Sequence, residues 1–302
     1  MKKLLLAMML FAHPVLACAP APHAGEDIDI VEESAVILWD PSTKTEQFIR
    51  RATFRGDAKD FGFLVPTPSA PALAEVNDDV FETLKAKTAR KEIEKTTTQY
   101  DFRPAVYLYF FGRTRSEDAK LAAGAPVEVL ATEKVAGYEA AVLDATDAKA
   151  LRDWLEQHGY ATTPDLEAWL DVYIQKQWKI SAFKIDKSSA DARTGAVRMS
   201  FVTDRPFFPY REPASQRESP PFLARALNIW FVGPERVRGT IGANTAWPHE
   251  LLWSGAHDGR RLTAFSDTST PRPGIDDLYF DRDPDQRAFV PDPLVIENYE
   301  TT

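Results

Sequence analysis

Alternating apolar and polar positions near the start of the chain predict a β-hairpin. The segment Ile28–Trp39 ends in a continuous apolar run, Asp40–Thr43 has the residues of a turn, and Phe48–Phe54 alternates like a half-buried strand. A third strand is predicted at Phe61–Val65, and the two prolines that follow it closely mark its end. This part of the chain is therefore expected to be rich in β-structure.

Six further apolar runs predict strands. They are Ala105–Phe111, Val127–Ala131, Tyr138–Leu143, Trp178–Ile185, Ala196–Thr203 and Ala226–Val232. The first of these is the most apolar, but it has only seven residues before Gly112 and Arg113, and a membrane-spanning helix needs about 20. It is therefore predicted to be a buried strand.

Helical periodicity appears in three places. Asn77 is expected to cap a helix with an apolar stripe of Val76, Val80 and Leu84, with acidic residues in its first turn and basic residues later. Two more helices are predicted, one over Asp147–His158 and one that begins after a Thr163 cap. The short connection between them predicts a helical hairpin.

Together these elements predict an α+β fold with a mixed, mostly antiparallel sheet, a helical hairpin and long proline-rich loops. Residues 18–302 are expected to form one α+β domain, either undivided or with two lobes, because single cores stop growing at roughly 250 to 300 residues. Arg205–Pro221 contains five prolines and is predicted to be a long loop. The chain from Ser266 onward is expected to be irregular.

Residues 1–17 have the three parts of a secretory signal peptide. Met1–Lys3 is positively charged, Leu4–Ala12 is an apolar run of nine residues, and His13–Ala17 ends in a small residue. The apolar run is too short to span a bilayer. We therefore predict that the protein is exported.

Cys18 follows this segment directly and is the only cysteine in the chain. Val15–Cys18 is similar to the bacterial lipobox, in which the cysteine sulfur receives a diacylglyceryl group, so one prediction is a membrane anchor through Cys18. Ala19 in place of Asp would favour the outer membrane, with the protein facing the periplasm or the cell surface. The alternative is ordinary cleavage after Ala17, which would leave a soluble periplasmic or secreted protein with a free thiol.

The charge of the chain argues against nucleic acid as a partner. The formal net charge is −9 at pH 7, whereas a protein that neutralises phosphates needs a basic stripe. The densest basic stretch, Lys85–Lys95, is interrupted by Glu92 and Glu94 and is typical of a solvated helix face. The partners that we expect are the membrane, through a lipid anchor if Cys18 is acylated, and an envelope protein.

Four stretches of the chain resemble an uncharacterised family of exported bacterial proteins, domain of unknown function 2330. They are Glu33–Asp40, Asp60–Pro68, the helical pair that ends in His158–Tyr160, and Met199–Phe201 followed by Asp204–Pro213. The resemblance covers nearly the whole chain after Cys18. It implies an N-terminal signal, often with a cysteine at its end, and no known activity, cofactor or catalytic residue.

Two patterns of catalytic residues are incomplete in this sequence. A serine-hydrolase turn has a glycine two residues before the nucleophile. Leu252 occupies this position relative to Ser254, so the turn is incomplete. His249 begins a pattern similar to a zinc-protease helix, but the second histidine is missing and the next candidate is His257. Both histidines are therefore kept as weak metal candidates, with solvated surface histidines as the alternative.

Adjacent carboxylates such as Glu32 and Glu33 would point apart on a strand, which gives no support for paired-carboxylate catalysis.

Three aspartates have the spacing of a calcium loop. Asp281, Asp283 and Asp285 could supply oxygens to a hard cation, with Asp276, Asp277 and Asp292 as further donors. Pro284 lies between two of them, and Gln286 replaces the glycine that the turn needs. The alternative is a solvated acidic loop.

The proline-rich loop is the remaining candidate for contact with a partner. Its residues Arg205, Phe207, Phe208, Tyr210 and Arg211 are of the types enriched at interfaces. The alternative is that the aromatic side chains pack onto the protein's own sheet.

No complete catalytic pattern is present, and no cofactor is expected. We therefore predict an exported cell-envelope protein that acts as a binding or structural module. The alternative is an extracytoplasmic hydrolase with residues scattered in sequence, which would need a pocket that gathers His249, His257 and carboxylates.

Overall fold

The computed structural model describes residues 20–22, 28–56, 60–98, 127–186, 191–193, 195–214, 217 and 225–300. The proposed signal peptide over residues 1–17, Cys18 and the strand predicted at Ala105–Phe111 lie outside these residues.

Strands make up most of the regular structure in the described residues. In chain order they are β1 (Pro20–Pro22), β2 (Ile28–Asp40), β3 (Thr45–Gly56), β4 (Asp60–Thr67), β5 (Ala72–Val76), β6 (Glu92–Thr98), β7 (Glu128–Val135), β8 (Tyr138–Asp144), β9 (Lys179–Asp186), β10 (Asp191–Arg193), β11 (Ala196–Val202), β12 (Phe207–Phe208), β13 (Ala226–Gly233), β14 (Val237–Ile241), β15 (Thr245–Ala246), β16 (Glu250–His257), β17 (Arg260–Asp267), β18 (Leu278–Arg282) and β19 (Leu294–Glu300). The helices are α1 (Asp79–Thr88), α2 (Ala148–Gln157) and α3 (Pro164–Gln175).

These strands form two large sheets and two small ones. The first large sheet has the order β16-β17-β13-β2-β3-β11-β5, with β10 also paired to β3, and the second has the order β1-β4-β9-β8-β7. Most neighbours are antiparallel, but β13 runs parallel to β2. The small sheets have the orders β12-β18-β14-β15 and β19-β6. The predicted α+β class with mixed, mostly antiparallel sheets is therefore confirmed in broad terms.

The predicted hairpin of β2 and β3 is present, and its turn explains its register. Ser42 donates from its backbone N–H to Asp40 Oδ1 at 2.9 Å, and Lys44 has a positive φ of 52°. The two strands then pair from Asp40 opposite Thr45 to Ile28 opposite Gly56, with an irregularity near Ile30. Alternating side chains on this hairpin face two different layers of the protein.

The two large sheets stack face to face and helices cover their outer faces. Side chains such as Ile37 of β2 and Phe63 of β4 fill the space between the sheets, which we call the central layer. The intervening residues point outward: Leu64 packs under α2 and α3, and Val36 packs under α1. Strand periodicity thus produces four layers in the order helix, sheet, sheet, helix.

The predicted helical hairpin is confirmed. The Asp147 side chain accepts from Ala150 N–H at the start of α2, and the Thr163 hydroxyl accepts from Leu166 N–H at the start of α3. Gly62 lets this hairpin lie close to the second sheet, since a Cβ at this position would be 2.0 Å from Tyr160 Cδ1.

The cap predicted for α1 was wrong, and its buried face was predicted in part. The N-cap is Asp78, whose side chain makes no cap hydrogen bond, while the Asn77 side chain instead accepts from Asp79 N–H. Leu84 of the predicted stripe is buried, and Val76 and Val80 pack against the same core cluster, although Val76 belongs to β5. The other buried residues of α1 are Phe81 and Thr88.

The C-terminal part is more regular than predicted. Strand β17 continues to Asp267, and β18 and β19 follow it. The prolines and many of the aspartates of this region lie in the connections between strands, so they do not prevent the strands from forming. In the described residues, no helix has the length and apolar character needed to cross a membrane.

Candidate functional site

Residues Arg205–Glu212 of the predicted partner loop run through the central layer. Phe207 and Phe208 form β12 and pair with β18. The side chains of Phe207, Phe208 and Tyr210 are exposed by only 1%, 1% and 2%. These three aromatics therefore pack inside the protein, as in the alternative interpretation, and do not form a surface patch for a partner. Sequence composition suggested an interface because buried and interface aromatics are the same residue types.

Glu46 of β3 fixes the position of β12. The backbone N–H of Phe207 donates to Glu46 Oε2 at 2.9 Å. The Glu46 side chain is fully buried, and its other oxygen has no hydrogen-bond partner in the described part of the chain. Burial raises the pKa of Glu46 well above its ordinary value, and the hydrogen bond from Phe207 offsets only part of this effect. Burial thus favours the neutral form of Glu46 over its carboxylate.

Arg205 and Arg211 hold the ends of the segment to one acidic region. Arg205 forms a bidentate ion pair with Asp281, at 2.9 and 2.5 Å, and lies over the Tyr279 ring. Arg211 pairs with Asp276 at 2.8 Å. Both arginines are more exposed than the aromatics between them, but their charges are already paired inside the protein.

Asp277 joins the same segment to α3. Its Oδ1 atom accepts from the Tyr173 hydroxyl at 2.7 Å and from Arg211 N–H at 3.4 Å. Lys176 Nζ lies 3.7 Å from Oδ2. Burial raises the pKa of Asp277 and outweighs the opposing effects of Tyr173 and Lys176.

Asp267 anchors the middle of the segment. Its Oδ2 atom accepts from the Tyr210 hydroxyl at 2.7 Å and from Trp247 Nε1 at 2.9 Å, and its Oδ1 atom accepts from Ser269. Burial opposes ionisation of Asp267, but the hydrogen bonds from Ser269 and the charge of Arg272 outweigh it and lower the pKa. The ionised form of Asp267 is therefore favoured, and protein hydrogen-bond donors stabilise its carboxylate.

Five charged residues from distant parts of the chain meet beside this segment, and we call them the buried charge cluster. They are Glu33, Arg50, Glu212, Arg225 and Arg272, each exposed by 6% or less. Arg50 Nε donates to Glu33 Oε1 at 2.7 Å, Arg225 forms an ion pair with Glu212, and Arg272 Nη1 lies 3.8 Å from Glu33 Oε2. The Arg50 guanidinium also lies over the Phe63 ring of the facing sheet, so the cluster links both sheets.

The cluster contains two glutamates and three arginines, and these neighbouring charges shift the pKa values of Glu33 and Arg272. Burial opposes ionisation of Glu33, but Arg50 and Arg272 more than offset it and lower the pKa. Burial and the charge of Arg225 lower the pKa of Arg272, while Glu33 opposes them. Arg272 Nε and Nη2 have no hydrogen-bond partner among the described residues. The arrangement joins the β2–β3 hairpin to the chain segments at Glu212, Arg225 and Arg272.

Each of the three aspartates of the predicted calcium loop is paired with an arginine, and Arg236 lies near both Asp283 and Asp285. Asp281 pairs with Arg205, Asp283 with Arg236 at 3.0 Å, and Asp285 with Arg287 at 2.8 Å. Their carboxylates therefore do not converge on one point, and Asp292 lies apart, with its carbonyl accepting from Arg90. In the part of the chain that is described, no group of three or more His, Cys, Asp or Glu side chains is placed to hold a metal.

The two histidine candidates do not meet. The helix that a zinc-protease pattern requires is absent, because His249 is followed directly by strand β16, which ends at His257. At about 3.3 Å per residue the two histidines are separated by roughly 25 Å. His249 stacks on Trp247, and His257 Nδ1 lies 3.1 Å from Lys87 Nζ. A pocket that gathers both histidines is thus not formed.

Ser254 does not lie on a nucleophile turn. It is in the middle of β16, opposite Thr263, and it is fully buried with no hydrogen bond to its hydroxyl. The lipidation candidate Cys18 lies outside the described residues.

Sequence reasoning missed the buried charge cluster, although the pattern contained a signal for it. Glu33 and Arg50 share the strand parity of Ile37 and Phe48, which are core residues. A charged residue at an inward strand position needs a buried partner of opposite charge. Nothing in the local sequence indicates that Arg272 supplies part of this pairing.

A family model described as "Uncharacterized protein conserved in bacteria (DUF2330)" matches residues 14–237 of this chain. No curated protein matches it. Among solved structures, baculovirus P35 is similar with 8% identity and a TM-score of 0.39, over 84% of this chain and 91% of the viral protein. That similarity is too low to support an argument about function.

Proposed function

Because this chain belongs to the uncharacterised bacterial family DUF2330, we propose that it is an exported cell-envelope protein that serves as a binding or structural module. In this proposal a lipid on Cys18 anchors it to the outer membrane. The observation that carries the proposal is the position of the chain's only cysteine, directly after a positively charged, apolar and small-residue segment.

The interior of the described domain supports a role that depends on shape. The carboxylates of the Arg205–Glu212 region are bound to arginines, backbone N–H groups or hydroxyls. A catalytic carboxylate or histidine instead needs access to a substrate and a partner within hydrogen-bond reach. The arrangement of four layers supports a scaffold that presents its surface at the envelope.

Substitution of the cysteine tests the anchor. In the native bacterium, the protein is expected to incorporate labelled fatty acid and to sediment with outer membranes, whereas Cys18→Ser is expected to lose the label and appear in the soluble envelope fraction. Ala19→Asp serves as the matched control, because it keeps the thiol and is expected to keep the label while moving the protein to the inner membrane.

The outcomes separate location from anchoring. Label on the native protein that disappears in Cys18→Ser supports the lipoprotein. An unlabelled but exported protein contradicts the anchor and favours ordinary cleavage after Ala17. An unlabelled protein that stays in the cytoplasm overturns the export proposal.

A further inference from the structure

The Arg272 guanidinium of the buried charge cluster lies in the interior without the hydrogen bonds that such a group needs. Its side chain is exposed by only 3%, and Nε and Nη2 have no hydrogen-bond partner in the described ranges. Nη1 lies 3.8 Å from Glu33 Oε2, which is beyond hydrogen-bond distance. Because a buried charged donor without an acceptor is costly, Arg272 requires an acceptor that the described residues do not supply.

The burial of Arg272 is built into the connection between β17 and β18. At the start of this connection, the Asp267 carboxylate accepts from the Ser269 N–H at 2.8 Å. Two residues after Arg272, the carbonyl of Gly274 accepts from the Glu212 N–H at 2.8 Å. Gly274 lies so close to Glu212 that a Cβ would be 2.8 Å from Glu212 Cγ. These contacts keep Arg272 inside the protein, beside the Arg205–Glu212 segment.

The nearby carboxylate of Asp267 is already occupied by other donors. Oδ2 accepts from the Tyr210 hydroxyl and from Trp247 Nε1, and Oδ1 accepts from the N–H and the hydroxyl of Ser269. An ionised carboxylate offers about four acceptor positions in total. Asp267 therefore has no position left for Arg272, although its charge favours the guanidinium.

The charges of the cluster favour an anion at this place. Three arginines and two glutamates leave one positive charge in excess among the five members. Burial, followed by the charge of Arg225, lowers the pKa of Arg272, while Glu33, Glu212 and, most weakly, Asp267 oppose this effect. A water molecule would supply an acceptor but no charge. An anion supplies the acceptor and also reduces the repulsion between the two arginines.

We propose that the Arg272 guanidinium, beside Arg225, binds a buried monovalent anion of the size of chloride. The two arginines are exposed by 6% and 3%, which favours a small ion over an anion with an organic group. A single excess charge favours a monovalent ion over phosphate or sulfate, because an uncompensated buried charge is costly. The ion holds the β17–β18 connection against Arg225 and its partner Glu212, and the site does not depend on where the protein is located.

The chloride dependence of stability in the mature full-length protein tests the site. An ion that binds only the folded state at one site raises the folding equilibrium constant in proportion to its concentration above the Kd. Urea unfolding is measured at constant ionic strength, with gluconate replacing chloride, since gluconate carries the same charge on a bulky organic group. Each tenfold increase in chloride above the Kd is expected to raise the folding equilibrium constant about tenfold. An equilibrium constant that stays the same from chloride-free buffer to about 100 mM chloride overturns the proposal.

Substitution of Arg272 assigns the response to this site. Arg272→Gln removes the charge and is expected to abolish the chloride dependence. Arg287→Gln is the matched control, because the Arg287 side chain is 87% exposed and its loss should leave the chloride dependence unchanged. A chloride dependence that persists in Arg272→Gln places the ion elsewhere and contradicts the proposal.

Crystals grown in bromide instead of chloride give a measurement that needs no substitution. An anomalous scattering peak is expected at hydrogen-bond distance from Nε or Nη2 of Arg272. A water molecule at that position without anomalous signal overturns the proposal, as does a side chain of the protein itself that accepts from these nitrogens.

Discussion

Replacing Glu33 by Gln removes the carboxylate that lies between Arg50 and Arg272 while keeping the shape of the side chain. Glu33 and both guanidinium groups are 6% exposed or less, so water cannot take the place of the lost charge. Breaking a buried ion pair from one side costs about 3–5 kcal/mol. A domain of ordinary stability, about 5–15 kcal/mol, would lose a large part of its free energy of unfolding.

Urea unfolding followed by tryptophan fluorescence measures this loss. Glu33→Gln is expected to lower the midpoint by about 1 M or more at pH 7. Lys44→Ala is the control, because Lys44 and its partner Asp204 are 60% and 90% exposed and such surface pairs contribute about 0–1 kcal/mol.

Acid and a second substitution test the reasoning further. The pKa of Glu33 is lowered in the folded protein, so its ionised form stabilises above about pH 4.5 and this contribution is lost as pH falls below that value. The difference between native protein and Glu33→Gln should therefore shrink at acidic pH. Arg50→Met in the Glu33→Gln background should cost less than Arg50→Met alone. Equal costs in both backgrounds, or a loss below about 1 kcal/mol for Glu33→Gln, would refute the argument.

Two further predictions concern single positions in β3 and β4. Because the pKa of Glu46 is raised, its contribution to stability is present at low pH and is lost as pH rises. Glu46→Gln should therefore leave the urea midpoint unchanged at pH 4.5 and raise it at pH 8. A lower midpoint for Glu46→Gln at pH 8 would contradict this. Gly62→Ala should destabilise by about 1–3 kcal/mol, because its Cβ would meet the buried Tyr160 ring, and Gly62→Ala/Tyr160→Leu should lose less relative to Tyr160→Leu alone.

Local pattern was sufficient to predict much of the described secondary structure. The β2–β3 hairpin, β8, β9, β11, β13 and the α2–α3 pair follow from alternation, capping residues and turn chemistry, all of which act over a few residues. The start of α1 was predicted wrongly, because Val76 continues the helical stripe although it belongs to a strand.

Pairing between distant segments could not be predicted in the same way. The arrangement of the sheets brings Glu33, Glu212 and Arg272 together across more than 200 positions of sequence, and no local pattern encodes this contact. The loop aromatics illustrate a related difficulty, because Phe207 and Tyr210 would have the same composition in a binding surface and in a core. The inward strand parity of Glu33, Glu46 and Arg50 indicated that the central layer contains charge.

The intact mass of the mature protein, purified from its native bacterium in detergent, tests the envelope proposal most directly. We expect a polypeptide that begins at Cys18 and carries the additional mass of a diacylglyceryl group, with or without a further acyl chain on its N-terminus. A mass that corresponds to the unmodified chain beginning at Met1 would contradict both export and anchoring.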